Sequence, residues 1–169
     1  MPSDSPGQAR TIALLRSDHD TSGFDSGEPA LDDWLRKRAI HNLQAGASRT
    51  YVACPPDEPV VEAYYALSMG QILAAEALGS MRRNMPRYIP SVILGRLAVD
   101  RRRQGTGLGR AMLADAVRRT LRASAEVSAR LIVVHAISDE AEAFYLRHGF
   151  VRLPVDTPTL ALDLNKLRR

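Results

Sequence analysis

A chain of 169 residues with 45% hydrophobic and 25% charged side chains has the makeup of one folded globular domain and excludes wholesale disorder. Its single cysteine, Cys54, excludes an internal disulfide and fits a reducing compartment; no run reaches the roughly 18 apolar residues of a membrane span, so a cytoplasmic protein without membrane contact is expected. The net charge of +4 is modest, but Ser80–Arg110 carries eight arginines (82, 83, 87, 96, 101, 102, 103 and 110) against one acid, Asp100, a local excess that favours polyanionic ligands.

Residues 1–9, rich in Pro, Ser and Gly, read as a loose leader without the apolar stretch of a signal peptide. RTIALLR (10–16) reads as a strand and SDHDTSGFDSGEP as a loop. From Glu28 or Pro29 to about Ala45, Leu31, Trp34, Leu35, Ala39 and Leu43 recur at helical spacing, with Arg36, Lys37 and Arg38 on the polar edge. SRTYVAC (48–54) and VVEAYYALS (60–68), joined by the turn PPDEP, predict a hairpin. Residues 70–90 read as irregular, interrupted by Gly79, Pro86 and Pro90, although ILAAEAL is compatible with a short helix.

SVILGRLAV (91–99), apolar apart from Gly95 and Arg96, predicts a strand buried on both faces. A glycine-rich loop follows, and then Leu108, Met112, Leu113, Ala116, Val117, Thr120 and Leu121 mark a helix to about Ala123. RLIVVHAI (130–137) is a second buried strand, SDEAEAFYLRHG a helix with Ser138 as N-cap and Gly149 as its stop, and TLALDL (159–164) the last strand. The strand–helix–strand–helix order over 91–148 predicts a parallel crossover beside the antiparallel hairpin. The expected fold is α/β (α+β): one domain, residues 1–169, with a mixed central sheet of about six or seven strands flanked by helices.

The loop RRRQGTGLGRAM (101–112) carries the chemistry. A loop from a buried strand into a helix presents free amides and the positive end of the helix dipole, and glycines at 105, 107 and 109 let anion oxygens approach the backbone. A P-loop needs a Gly-Lys pair, which the chain lacks, and a Rossmann fingerprint starting at Gly105 needs glycine where Arg110 stands. Gln104–Gly109 instead resembles the pyrophosphate loop [QR]-x-x-G-x-[GA] of the GCN5-related N-acetyltransferases (GNAT). SDEAEAFYLRHGF (138–150) is similar to that family's N-x-x-A-x-x-x-Y-x-x-x-G-F, with Ala141, Tyr145, Gly149 and Phe150 matching and Ser138 in place of the usual Asn.

This resemblance implies acetyl-CoA as cosubstrate, without a metal. It implies that Leu97, Ala98 and Val99 contact the acetyl and pantetheine end, that Gln104, Gly105, Thr106, Gly107, Leu108, Gly109 and Arg110 hold the pyrophosphate, and that Tyr145 donates a proton to the departing thiolate. Ser138 either hydrogen-bonds the pantetheine or serves only as an N-cap. GFDSGEPALDDWLRKRA, YYALS, ILGRLAVDRRRQGTGLGRAML and AFYLRHGF together resemble the TacT-type acetyltransferase toxins of toxin–antitoxin pairs, over residues 10–165. That likeness implies transfer to the free α-amine of aminoacyl-tRNA, which blocks translation. It also implies a ribbon-helix-helix antitoxin as partner, a homodimer, and no direct DNA binding without the antitoxin.

An α-amine with a pKa near 8 is partly neutral at pH 7 and needs no strong base. Glu62 and His135 are the candidates for one, set against an exposed strand Glu and a partly buried strand His. Arg36, Lys37, Arg38, Arg82, Arg83 and Arg87 are candidates for tRNA phosphates, and Arg102 and Arg103 for those of coenzyme A. Arg96 either pairs with a buried acid or projects into the acceptor cleft. The rival readings are an N-acetyltransferase for a small-molecule amine or a protein N-terminus, which needs no basic track, and a non-catalytic coenzyme A-binding or antitoxin-binding module.

Overall fold

The computed structural model describes residues 10–168, so the leader expected over 1–9 lies outside the described residues. The elements of its first half are β1 (Thr11–Leu14), α1 (Pro29–Lys37), α2 (Ala39–Ala45), β2 (Arg49–Cys54), β3 (Ala63–Leu73), α3 (Gly79–Arg82) and β4 (Tyr88–Val99). They are followed by α4 (Leu108–Ala123), β5 (Leu131–His135), α5 (Asp139–Arg147), β6 (Val151–Arg152), β7 (Thr159–Asp163) and α6 (Leu164–Leu167). The strands form a seven-stranded sheet in the order β1-β2-β3-β4-β5-β7-β6. It is mixed, as expected: β4 and β5 are parallel, whereas β1–β2, β5–β7 and β6–β7 are antiparallel.

The described residues divide into two compact units, one of 10–66 with 96–115, the other of 67–95 with 116–168. In the first, Thr11 lies opposite Cys54 and Leu14 opposite Tyr51. Leu15, Phe24, Leu35, Ala39, Val52, Cys54, Val61, Tyr64 and Ala98 form the core, with Leu31, Trp34, Ile40 and Leu43 packed on it. The apolar stripe read from the sequence is therefore the buried one, but its helix is two helices. Arg38 leaves the helical region (φ −122°, ψ −31°), while the bonds from Arg38 N to Trp34 O and from Asn42 N to Arg38 O, both 2.8 Å, survive on either side. Neither Gly nor Pro stands at the break, and no side chain there explains it.

In the second unit Ser91 pairs with Leu131 and Ile93 with Val133, and β7 runs back along β5 with Leu131 opposite Asp163. Its core gathers Ile72, Ala77, Met81, Ile89, Leu131, Val133, Leu153 and Ala161. Arg130 and Asp163 close it with a two-pronged ion pair (2.8 and 3.2 Å) between largely buried side chains.

The segment 70–90 is more ordered than its glycines and prolines predict. β3 continues to Leu73 and β4 begins at Tyr88, and the ILAAEAL stretch supplies the end of β3 and a single 3₁₀ turn, Ala74–Glu76. Gly70 marks a close approach: a Cβ there would lie 2.6 Å from Cγ1 of Ile93. Gly70→Ala is expected to lower stability by about 1–3 kcal/mol in urea unfolding, because Ile93 has to leave its rotamer.

Candidate active site

In the first unit β4 ends at Val99 and the chain turns through one 3₁₀ turn, Arg101–Arg103, towards α4. Asp100, 2% exposed, organises the turn. One of its oxygens accepts from Arg102 N (3.0 Å) and Arg102 Nε (2.9 Å), the other from Asp25 N (3.1 Å). Burial raises the Asp100 pKa, but the hydrogen bonds from Arg102 and from the Arg102 and Asp25 backbone outweigh it and hold the carboxyl below its ordinary value. Gln104 Nε2 donates to Ser26 O (2.8 Å) and Val99 O (3.0 Å). Ser26 is fixed in turn by buried Asp32 of α1, which accepts its backbone N–H (3.0 Å) and its hydroxyl (2.6 Å). The GFDSGEP loop is thus tied to the strand end from which the glycine loop leaves.

Within that frame Gly105 and Gly107 have φ of +77° and +88°, and no atom lies within 4 Å of where either Cβ would stand. Left-handed backbone at two alternate residues suits glycine, and here it also leaves open space. Leu108 opens α4, a sixteen-residue helix whose first amides lack intrahelical partners and carry the positive end of the dipole. The loop fits a diphosphate. Arg110 is exposed beside it and Leu108 is buried below. Leu97 and Val99 are half-buried, while Ala98 belongs to the core with Tyr64 and Leu35 and so faces a ligand only through its backbone.

The second unit holds the other landmark. Ser138 is the N-cap of α5, its hydroxyl accepting from Ala141 N at 3.1 Å. Tyr145 is 7% exposed, its ring 5.3 Å from Phe144 and 5.4 Å from Phe150. Burial raises its phenol well above the ordinary value. No acceptor for its hydroxyl is found among the described residues, so the hydroxyl is a donor without a partner.

Several side chains depart from expectation. Glu62 is not an exposed strand acid: it is 3% exposed and ion-paired with Arg103 and with Arg10, whose Nε lies 3.1 Å away. His135 is exposed, not partly buried, at the end of β5, its Nδ1 3.0 Å from Thr159 Oγ1. Arg102 and Arg103 are engaged by Asp100 and Glu62, which leaves them poor candidates for coenzyme A phosphates.

Arg36 donates to Phe24 O (2.8 Å) and meets Asp33 at 3.1 Å, and Lys37 lies 4.0 Å from the same acid. Arg82, Arg83 and Arg87 are exposed, and among the described residues none of them has an acidic partner. Arg96 meets no buried acid; it lies over the ring of Trp34. Sequence reading passed over Asp25, Ser26, Asp32, the side-chain role of Gln104 and the capping role of Asp100, although an Asp directly after a strand and before a turn, as Asp100 is, is a recognisable backbone-capping pattern. Among the described residues no His, Cys, Asp or Glu cluster is placed to hold a metal ion, and no helix is long and apolar enough to cross a membrane.

The family described as acetyltransferase (GNAT) domain matches residues 59–152. A tRNA-acetylating toxin of Mycobacterium tuberculosis is 46% identical over 149 residues, covering 88% of this chain and 89% of that protein. Among solved structures, AtaT complexed with acetyl-methionyl-tRNAfMet is similar at a TM-score of 0.89 and 31% identity, covering 95% of this chain and 98% of its own. A mutant AtaT toxin bound to the C-terminus of the antitoxin AtaR and acetyl-CoA is similar at a TM-score of 0.81 and 29% identity, covering 94% and 96%.

Proposed function

The chain belongs to the GNAT acetyltransferase family, and we propose that it is the toxin of a toxin–antitoxin pair, transferring the acetyl group of acetyl-CoA to the free α-amine of aminoacyl-tRNA. The observation that carries this is the kinship with the tRNA-acetylating toxin along nearly the whole chain. The open, twice left-handed glycine loop before α4 supports acetyl-CoA as the donor. Residues 1–169 act as one acetyltransferase domain, supported by a family match that draws on both units.

In this reading the backbone of Gln104–Arg110 holds the pyrophosphate and Leu97–Val99 line the thioester. The neutral amine attacks the thioester carbonyl; the C–N bond forms and the C–S bond breaks. The new amide nitrogen releases its proton to solvent, and the thiolate leaves against the hydroxyl of Tyr145 and ends as the thiol. Because an α-amine is partly neutral at pH 7, the ion-paired state of Glu62 is no obstacle. Ser138 acts as a cap. Arg82, Arg83 and Arg87 in the second unit, and separately Lys37 in the first, contact tRNA phosphates. The partners are a ribbon-helix-helix antitoxin and a second copy of the chain, in the cytoplasm, with DNA reached only through the antitoxin.

Purified protein mixed with labelled acetyl-CoA and total charged tRNA is expected to label the aminoacyl end, and sequencing the labelled pool identifies the tRNAs. Acceptor KM should rise steeply with salt, by at least about tenfold between ~50 and ~200 mM. Labelling of free amines or protein N-termini without labelling of charged tRNA overturns the reading.

A further inference from the structure

Arg96 is a half-buried cation without an anion. It lies in β4, and among the described residues no carboxylate or hydrogen-bond acceptor meets its guanidinium. The nearby cations differ: Arg101, Arg102, Arg103 and Arg36 each have an acid. What holds Arg96 is aromatic. Its guanidinium carbon lies 4.3 Å from the centre of the Trp34 ring, and that ring is stacked on Tyr64 at 5.9 Å and 13°. Tyr64 is locked by Phe24 against its edge and by its own hydrogen bond to Leu31 O at 2.7 Å. The charge is therefore positioned by a rigid apolar stack that does nothing to neutralise it.

Withdrawing a cation from water without pairing it is unfavourable, so such a position suits a ligand that brings the negative charge. A planar guanidinium resting on an aromatic face keeps its edge N–H groups for bidentate recognition of phosphate. Arg96 shares a sheet face with Ala98, a core residue of the same cluster. It stands three positions, about 10 Å of strand, before β4 ends at Val99 and the chain turns towards the glycine loop. The coenzyme's diphosphate belongs to that loop, so the anion for Arg96 belongs to the acceptor. In an aminoacyl-tRNA the anion nearest the reacting amine is the phosphodiester on the 5′ side of the terminal nucleotide.

We infer that Arg96, held against Trp34, binds this last phosphodiester and so selects an acceptor whose amine is carried on a polynucleotide end. The inference rests on the acceptor reading above and is separable from it. Two acceptors make the test: aminoacyl-tRNA, and aminoacyl-adenosine, which carries the same amine and ribose but no phosphodiester. Arg96→Gln is expected to raise KM for aminoacyl-tRNA by about ten- to a hundredfold, leave KM for acetyl-CoA unchanged, and reduce the slope of log KM against log salt by about one. The loss should vanish with aminoacyl-adenosine. Should Arg96→Gln fail to fold, Arg96→Lys and Trp34→Phe supply the same two-acceptor comparison, with smaller losses confined to the tRNA arm. Equal loss on both acceptors, or none on either, overturns the role of Arg96. A wild-type protein that acetylates neither acceptor overturns the acceptor reading itself, and this inference with it.

Discussion

Replacing Tyr145 by phenylalanine is expected to slow acetyl transfer by about 10²–10⁴-fold while leaving acetyl-CoA binding and thermal stability near their original values. The stability part follows from the burial and the missing partner: the ring packs against Phe144 and Phe150, and phenylalanine keeps that packing. The hydroxyl has no acceptor among the described residues, so its removal strands no buried group. The catalytic part follows from the same facts. A buried phenol whose ionisation is disfavoured by its surroundings stays a neutral donor where an ordinary phenol near pH 10 would begin to lose its proton. It can therefore offer a hydrogen bond to sulfur throughout the neutral and mildly alkaline range. The wild-type pH profile should rise as the acceptor amine loses its proton and show no fall near pH 10 belonging to this phenol. Calorimetry with acetyl-CoA, thermal melts and rates from pH 6 to about 10.5 make the check. Unchanged transfer in the phenylalanine variant removes Tyr145 from the reaction.

What could be read from the chain was the part whose meaning is local. Strand, glycine loop and helix over 91–123 announce themselves because the pattern is contiguous and each residue type does its work through its own backbone. The Ser138 cap is similar, since its partner is the amide three residues on. Long-range partners carried no such signal. Glu62 looked like an exposed strand acid because nothing beside it reveals Arg103, which buries and pairs it. Nothing in the sequence singled out Gly70, because its reason, the side chain of Ile93, belongs to another strand. Arg96 stood out as a charge in an apolar run, but the indole that holds it comes from the first helix. β6 escaped notice because two residues show no alternation; it exists only because β7 offers it an edge.

Asp100→Ala is expected to cost about 2–4 kcal/mol of stability and to weaken acetyl-CoA binding at least about tenfold, two effects with one cause. The carboxylate is the shared acceptor for the Arg102 amide, the Arg102 side chain and the Asp25 amide. Alanine leaves those donors unsatisfied around a buried position, and it releases the turn from which Gln104 reaches back to Val99 and Ser26. The glycine loop then samples conformations in which its amides no longer converge, so affinity falls even where the rest of the fold survives. Asp100→Asn keeps one acceptor oxygen but sets an NH₂ against N–H donors, and should recover only part of either loss. Acid titration separates this from generic damage. The folded carboxyl titrates below its unfolded value near 4. Its contribution is therefore fully present above that value and disappears as the pH falls through the lower, folded one. The difference in melting temperature between wild type and Asp100→Asn should accordingly hold steady from pH 7 down to about 5 and shrink below about 4. A gap that persists undiminished into strong acid would show that the charge of Asp100 is not what sustains the loop.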